Sequence, residues 1–300
     1  DEPACTFYLQ DGVPPAPKYR ERPGQWVRTH GWPAPDNECE PITLTLSDHG
    51  LKPDSQLSQD RLIASPLTTG ALQGEYIPLW FGADFPPDQR RDDALTLESA
   101  EACGQLHARL CDLSPSGESA LITYGTLNLN LRDDAGTIAP PTPGESFTVR
   151  LDMDLIGYRL PKGHRLRVAL SSASFPLVWS PKKRADLTLK AGTPSLELPL
   201  SKAPYISMPF EPPESAPPCP VKTLRKGHPK RTISEDVGSG EVSITIEDDM
   251  GDIKFLDHGL QVEQYAKEIY TSHPDDATRT RADIEWVYRA RREGEKNSFA

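Results

Sequence analysis

No Gly-x-Ser-x-Gly string occurs in the 300 residues. That string holds the nucleophile of an α/β-hydrolase on a strained strand-to-helix turn, so a nucleophile of that kind is excluded here. The nearest match, Gly238-Ser239-Gly240, lacks the spacing and reads as a hairpin loop. No Walker loop and no Gly-x-Gly-x-x-Gly opens a helix, which excludes those phosphate cradles. Cysteine is scarce: five, an odd number without paired spacing. That excludes a disulfide framework and favours a reducing, cytoplasmic setting. No apolar run approaches the ~18 residues of a membrane helix. Basic charge is also short, with 33 Lys+Arg against 44 Asp+Glu and a net charge of −11. A chain so acidic has no global attraction for nucleic acid or anionic lipid. The first residue is Asp1, and no signal-type apolar stretch follows. The chain is expected to be the back end of a protein roughly twice as long.

Proline is what the chain has in excess, 31 residues beside 21 glycines, where average usage is ~5%. Proline removes a helix donor and clashes with the preceding turn, so short strands joined by turns are favoured over long helices. Residues 1–38 read as coil, broken by Val13-Pro14-Pro15-Ala16-Pro17 and Gly31-Trp32-Pro33-Ala34-Pro35. Their aromatics Phe7, Tyr8, Tyr19, Trp26 and Trp32 are expected to anchor the segment on a folded surface. Period-two alternation follows at 42–46, 94–98, 106–110, 126–131, 147–153, 165–170, 187–189 and 196–198. Short alternating strands at this spacing predict an all-β sandwich, each strand with one buried and one wet face. Seven prolines make 204–220 a stiff extended connector. Beyond it, 242–246 alternates again, Asp257-His258-Gly259-Leu260 reads as a hairpin corner, and 262–272 and 282–290 read as further strands.

Candidate chemistry is thin. Cys103, His107 and Cys111 sit four apart, which on a helix would be one face. The segment reads as strand, where four residues separate side chains by ~13 Å, beyond one ion's reach. Cys5, Cys39 and Cys219 show no ligand spacing, so no metal, cofactor or catalytic residue is assigned. The pairs Asp92-Asp93, Asp133-Asp134, Asp248-Asp249 and Asp275-Asp276 would point to opposite faces of a strand. They read as turns and solvated edges, with a calcium site assembled from several loops as the alternative. Asp92 and Asp93 close the mixed-charge stretch 88–93, a candidate interface ladder. His30-Gly31-Trp32 reads as packing by Trp32 rather than as an oxyanion motif. His164, in Lys162-Gly163-His164-Arg165, stands at a turn entering a strand. Either its ring is hydrogen-bonded to fix that corner, or His164 and Arg165 meet a partner.

Five stretches in one order carry a resemblance. They are Gln89-Arg90-Arg91-Asp92-Asp93-Ala94-Leu95-Thr96, the run 108–119 through Cys111-Asp112-Leu113-Ser114-Pro115-Ser116-Gly117, and Ile122-Thr123-Tyr124-Gly125-Thr126. Pro161-Lys162-Gly163-His164-Arg165 and Ser174-Phe175-Pro176-Leu177-Val178-Trp179 complete the set. In this order they resemble the C-terminal, non-catalytic part of the X-prolyl dipeptidyl peptidase and cocaine esterase family of serine hydrolases. The resemblance covers about 40–200. It implies a jelly-roll sandwich of the galactose-binding-like type over 37–203. It further implies a bridge over 1–36 from an α/β-hydrolase domain, the connector 204–220, and a β-rich extension over 221–300. The family's hydrolytic triad lies on the α/β-hydrolase domain, and no residue here matches a triad position. The chain alone is therefore expected to be inactive. Its expected partner is that catalytic domain, upstream or on a separate chain, together with a homo-oligomer. Neither nucleic acid nor membrane is an expected partner. His164, Arg165, Trp179, Asp92 and Asp93 are the interface or structural candidates. One departure is that Ala100-Glu101-Ala102-Cys103 joins two flanks directly where the family usually has another strand. The competing readings are a sugar-binding sandwich using Trp80, Phe81, Trp179 and Asp84, and a truncated remnant without activity.

Overall fold

The computed structural model describes residues 5–16, 19, 21–31, 39–73, 89–90, 104–133, 136–179, 181, 184, 186–202, 206–210 and 214–292. The chain is all-β, built from several small sheets packed as a sandwich and one larger C-terminal sheet. Strands β1 (Cys5–Asp11) and β2 (Gly24–Thr29) form an antiparallel pair, with Phe7 opposite Val27 and Tyr8 opposite Trp26. This corrects the expectation of coil over 1–38. Pro14, Pro15, Pro17 and Pro23 all lie between the two strands, so the ladder loses no donor to them. The aromatics hold the connecting loop. The Tyr8 hydroxyl donates to the Arg22 carbonyl at 2.7 Å, and that of Tyr19 to the Pro14 carbonyl at 2.7 Å.

Strands β3 (Cys39–Ser47) and β4 (Gly50–Lys52) make a hairpin, and β5 (Arg61–Ile63) follows. Next come β6 (Gln105–Leu113), β7 (Ser119–Asn128), β8 (Gly157–Arg159) and β9 (Arg165–Ser171). Strands β10 (Leu187–Leu189), β11 (Ser195–Ser201) and β12 (Ile206–Ser207) close this part. The sheet orders are β7-β6-β9, β11-β3-β4, β10-β5 and β12-β2-β1-β8.

Two expected strands come out differently. Strand β7 stops at Asn128, whose side chain accepts from the Asn130 amide at 3.0 Å and caps a 3-10 turn over Leu129–Leu131. Residues 147–153 enter no ladder. The chain just after them overlies β7, with the Asp154 amide donating to the Tyr124 carbonyl at 2.9 Å. Gly125 permits that approach, since a Cβ there would lie 2.3 Å from the Asp152 carbonyl oxygen. The expected strand at 94–98 lies outside the described residues.

The connector is not free along its length. Strand β12 pairs with β2, the Met208 amide donates to the Trp26 carbonyl at 2.9 Å, and Phe210 meets Trp26 edge-on at 5.3 Å. Beyond it stand β13 (Val221–Arg225), β14 (Lys230–Glu235), β15 (Val242–Phe255), β16 (Leu260–Ser272) and β17 (Arg281–Arg292). The order is β13-β15-β16-β17, with β14 pairing the first half of β15. The corner at 257–260 is the β15–β16 turn, with Gly259 at φ +73°. Asp248 and Asp249 are mid-strand rather than in a turn. A bulge at Gly251 breaks the ladder beside them, and Arg225 donates to Asp249 Oδ2 at 2.5 Å. That contact holds the Asp249 carboxyl below its usual range.

This sheet shares a core with the sandwich. Ala71, Phe175 and Ile244 are buried together, with Val242, Ile246 and Tyr270 packed on them. The Leu67 amide donates to the Pro274 carbonyl at 2.9 Å, and Arg184 meets Asp275 at 2.7 Å. No helix among the described residues is long and apolar enough to cross a membrane.

Candidate functional site

Strand β6 lies between β7 and β9, so both its edges are paired. From His107 to Leu113 every residue of it is buried. A carboxylate in such a strand must be hydrogen-bonded to be tolerated. Asp112, 2% exposed, meets that requirement twice. Its Oδ1 accepts from His164 Nδ1 at 2.6 Å, and its Oδ2 from the Tyr158 hydroxyl at 2.7 Å. A carboxylate oxygen only accepts, so His164 presents its proton on Nδ1. Tyr158 is pushed well above its usual range, first by burial and then by its bond to Asp112. It therefore remains a donor.

The three side chains come from three places that the fold brings together. Asp112 is on β6, Tyr158 on β8, and His164 ends the turn before β9, whose amide donates to the Pro161 carbonyl at 3.1 Å. The N-terminal pair of strands closes over them. Strand β1 runs parallel to β8, with Leu9 beside Gly157 and Asp11 beside Arg159. Arg159 donates to Asp11 Oδ1 at 2.7 Å, and the Gly12 amide to the Arg159 carbonyl at 3.2 Å. A Cβ at Gly12 would lie 2.5 Å from Pro161 Cδ and 2.7 Å from Asp112 Oδ2. Only glycine lets the chain pass this closely.

The chemistry open to this cluster is limited. Asp112 and His164 resemble the orienting half of a relay, yet no described hydroxyl or thiol is hydrogen-bonded to His164 Nε2. The cluster is a clamp that ties β8 and the turn before β9 to β6, and β1 is held through its pairing with β8.

A second buried network lies further along β6. Arg109 donates to Gln89 Oε1 at 2.8 Å, Gln89 Nε2 to the Gln73 carbonyl at 3.2 Å, and Gln73 Nε2 to Ser174 Oγ at 3.0 Å. His107, beside it, bonds Thr126 Oγ1 at 2.7 Å. Burial, with the Arg109 charge second, pushes His107 down to about 3. Among the described residues no three His, Cys, Asp or Glu side chains converge as a metal site. Cys103 lies outside the described residues.

Of the sequence candidates, His164 is in the clamp, and Arg165 follows it as the exposed first residue of β9. Trp179 is at a separate corner, half-exposed, its ring 6.2 Å from that of Phe175. Asp92, Asp93, Trp80, Phe81 and Asp84 lie outside the described residues, as does the short join over 100–103. Sequence reasoning missed Asp112, Tyr158 and Gly12. The available signal was the acid itself, a poor strand former set between Cys111 and Leu113.

Comparison with known proteins finds a similar domain over part of the chain. The model of the X-Pro dipeptidyl-peptidase C-terminal non-catalytic domain matches residues 92–209. That span is similar to this domain. It holds β6 to β12 and all three clamp side chains. A curated protein of Streptomyces avermitilis, named "Putative Xaa-Pro dipeptidyl-peptidase", is 29% identical over 133 residues. The match covers 39% of this chain and 19% of that protein, so the chain spans about a fifth of the length of the curated relative it matches. Among solved structures, a Thaumarchaeota archaeon aminopeptidase aligns at TM-score 0.40 and 14% identity, over 59% of this chain and 38% of that one.

Proposed function

We propose that this chain is the non-catalytic C-terminal region of an X-prolyl-dipeptidyl-peptidase-like acyl hydrolase of the cytoplasm. The observation that carries the reading is the family match over 92–209, to a domain described as non-catalytic. In this reading 37–203 is a jelly roll that packs on an α/β-hydrolase domain, walls part of its substrate cleft and joins subunit contacts. Residues 1–36 are then the bridge from that domain, 204–220 the connector and 221–300 an extension.

The clamp supports the reading on physical grounds. A domain that walls a cleft must hold a fixed position against the catalytic domain, because small misplacements are costly in rate. Asp112, Tyr158 and His164 tie β8 and the turn before β9 to β6, and β8 in turn pairs with the N-terminal strand β1. His164, Arg165, Trp179, Asp92 and Asp93 are the interface or structural candidates in this reading.

The test is enzymatic. The chain alone is expected to turn over neither p-nitrophenyl esters nor X-Pro-anilides. An α/β-hydrolase domain of the same family, supplied in trans, is expected to gain activity when the chain is added. Robust turnover by the chain alone, blocked by a serine-directed reagent, would overturn the reading.

A further inference from the structure

Strand β17 is the outermost strand of the C-terminal sheet, and among the described residues it pairs with β16 alone. It is 12 residues long, and its ladder to β16 runs without a register shift. It contains no proline and no glycine. Its even-numbered face carries Ile284, Trp286 and Tyr288, exposed at 57%, 67% and 52%. A long, regular edge with exposed apolar side chains is a template for pairing with another strand.

The charges on the other face say which strand. Directly opposed residues of an antiparallel pair share a face, so a two-fold axis must pair odd with odd and even with even. With the axis on Val287, Asp283 stands opposite Arg291 of a second copy and Glu285 opposite its Arg289. Each of these pairs occurs twice by symmetry, and no like charges meet between 281 and 292. On the apolar face Trp286 stands opposite Tyr288. Moving the axis to Trp286 opposes Arg281 to Arg291, and moving it to Glu285 opposes that residue to itself. Moving it to Tyr288 keeps only the Glu285–Arg291 pairs and sets Ile284 against Arg292.

We infer that β17 is a self-complementary docking edge, through which two copies of this chain join their C-terminal sheets about a two-fold axis at Val287. The inference locates the subunit contact and rests on the proposed function only for the expectation of subunits. The dimer and the hydrolase assay can each fail without the other.

Sedimentation velocity on the 300-residue chain is expected to give a dimer, twice the 33.1 kDa chain mass. Glu285→Arg sets like charges against Arg289, and Arg289→Glu sets them against Glu285. Each variant alone is expected to lose the dimer. Their equimolar mixture is expected to regain it, because every such pair in the mixed dimer is again Arg with Glu. Circular dichroism checks that each variant folds. Arg289 also binds Glu263 at 2.9 Å, and Arg291 binds Asp252 and Asp283 binds Arg281 at 3.4 and 3.6 Å, so if a variant of the first pair does not fold, Asp283→Arg with Arg291→Asp runs the same test with its own circular-dichroism check. A wild-type chain that stays monomeric overturns the inference, even if the edge then captures a catalytic domain. So does a dimer that both single variants leave intact, or a mixture that does not restore it.

Discussion

Removing the Asp112 carboxylate tests whether the clamp holds the N-terminal strands. In Asp112→Ala the His164 and Tyr158 donors both lose their acceptor. A hydrogen bond to a charged group contributes about 1.5–3 kcal/mol, and a buried donor left unpaired costs about 1–3 kcal/mol. The two losses are unequal. His164 keeps 22% of its side chain exposed, so water takes over part of its bond. The Tyr158 hydroxyl, whose acidity is suppressed mainly by burial, bears the larger cost. The sum is about 3 kcal/mol. At ~2–4 °C per kcal/mol for chains somewhat smaller than this one, that lowers Tm by roughly 6–12 °C.

The coupling is the sharper part of this prediction. Tyr158→Phe alone strips one donor from Asp112 and is expected to cost about 1.5 kcal/mol. In the Asp112→Ala background the same change removes an orphaned hydroxyl, so it is expected to cost nothing or to recover stability. Differential scanning calorimetry on the two single variants and the double variant closes the cycle. Limited proteolysis adds a structural readout, since cleavage between β1 and β2 is expected to speed up in Asp112→Ala. Two results refute the reasoning. One is a loss within the ~0.5 kcal/mol of ordinary surface substitutions. The other is strict additivity of the two single variants, which would mean that Asp112 and Tyr158 do not share a bond.

Two further outcomes follow from the same strands. Gly12→Ala places a methyl 2.5 Å from Pro161 Cδ and 2.7 Å from Asp112 Oδ2, and is expected to cost about 1–3 kcal/mol by overpacking, measured by urea unfolding. His107 is held near 3 in the fold against an ordinary 6.5, so below about 6.5 the unfolded chain binds the proton first. Its contribution is intact above that pH and is lost at up to ~1.4 kcal/mol per pH unit as pH falls toward 3. His107→Phe is expected to flatten that part of the stability slope between about pH 6.5 and pH 4, and an unchanged slope would remove His107 as its cause.

Strand content was legible where side chains alternate and one face stays wet. Strand β9 and the start of β15 fall where the period-two pattern lies, and β16 and β17 fall where further strands were expected. Strands β1 and β2 were hidden by the prolines on either side of them, although Cys5–Asp11 and Gly24–Thr29 contain none themselves. The opposite error came at 147–153, where alternation is present but the neighbouring position beside β7 is held by single bonds around Asp154 rather than by a ladder. His164 was legible as a corner residue from the turn before it. Its partner was not, because Asp112 is 52 residues away and Tyr158 belongs to a three-residue strand with no pattern of its own. Contacts of that kind are set by how sheets cross, and local periodicity carries no record of them.

Edge protection connects the proline excess to the dimer inference. Strands β3 and β11 each contain a proline, and Pro41 stands directly opposite Pro199. A proline in an edge strand such as β11 removes a backbone donor and makes that strand a poorer template for a further one. Strand β7 is an edge of its sheet and ten residues long, but the backbone around Asp152–Asp154 covers it at Gly125. Strands β4, β5, β8 and β10 have three residues each, too short to template a partner. Strand β17 has none of these devices. It is longer than any of those edges, contains no proline, and meets no overlying segment among the described residues. The longest edge is thus left bare, and its Asp, Glu and Arg residues match their own reversed order. An edge left open by neglect would not be expected to carry that match, and the charge-swap mixture tests this distinction directly.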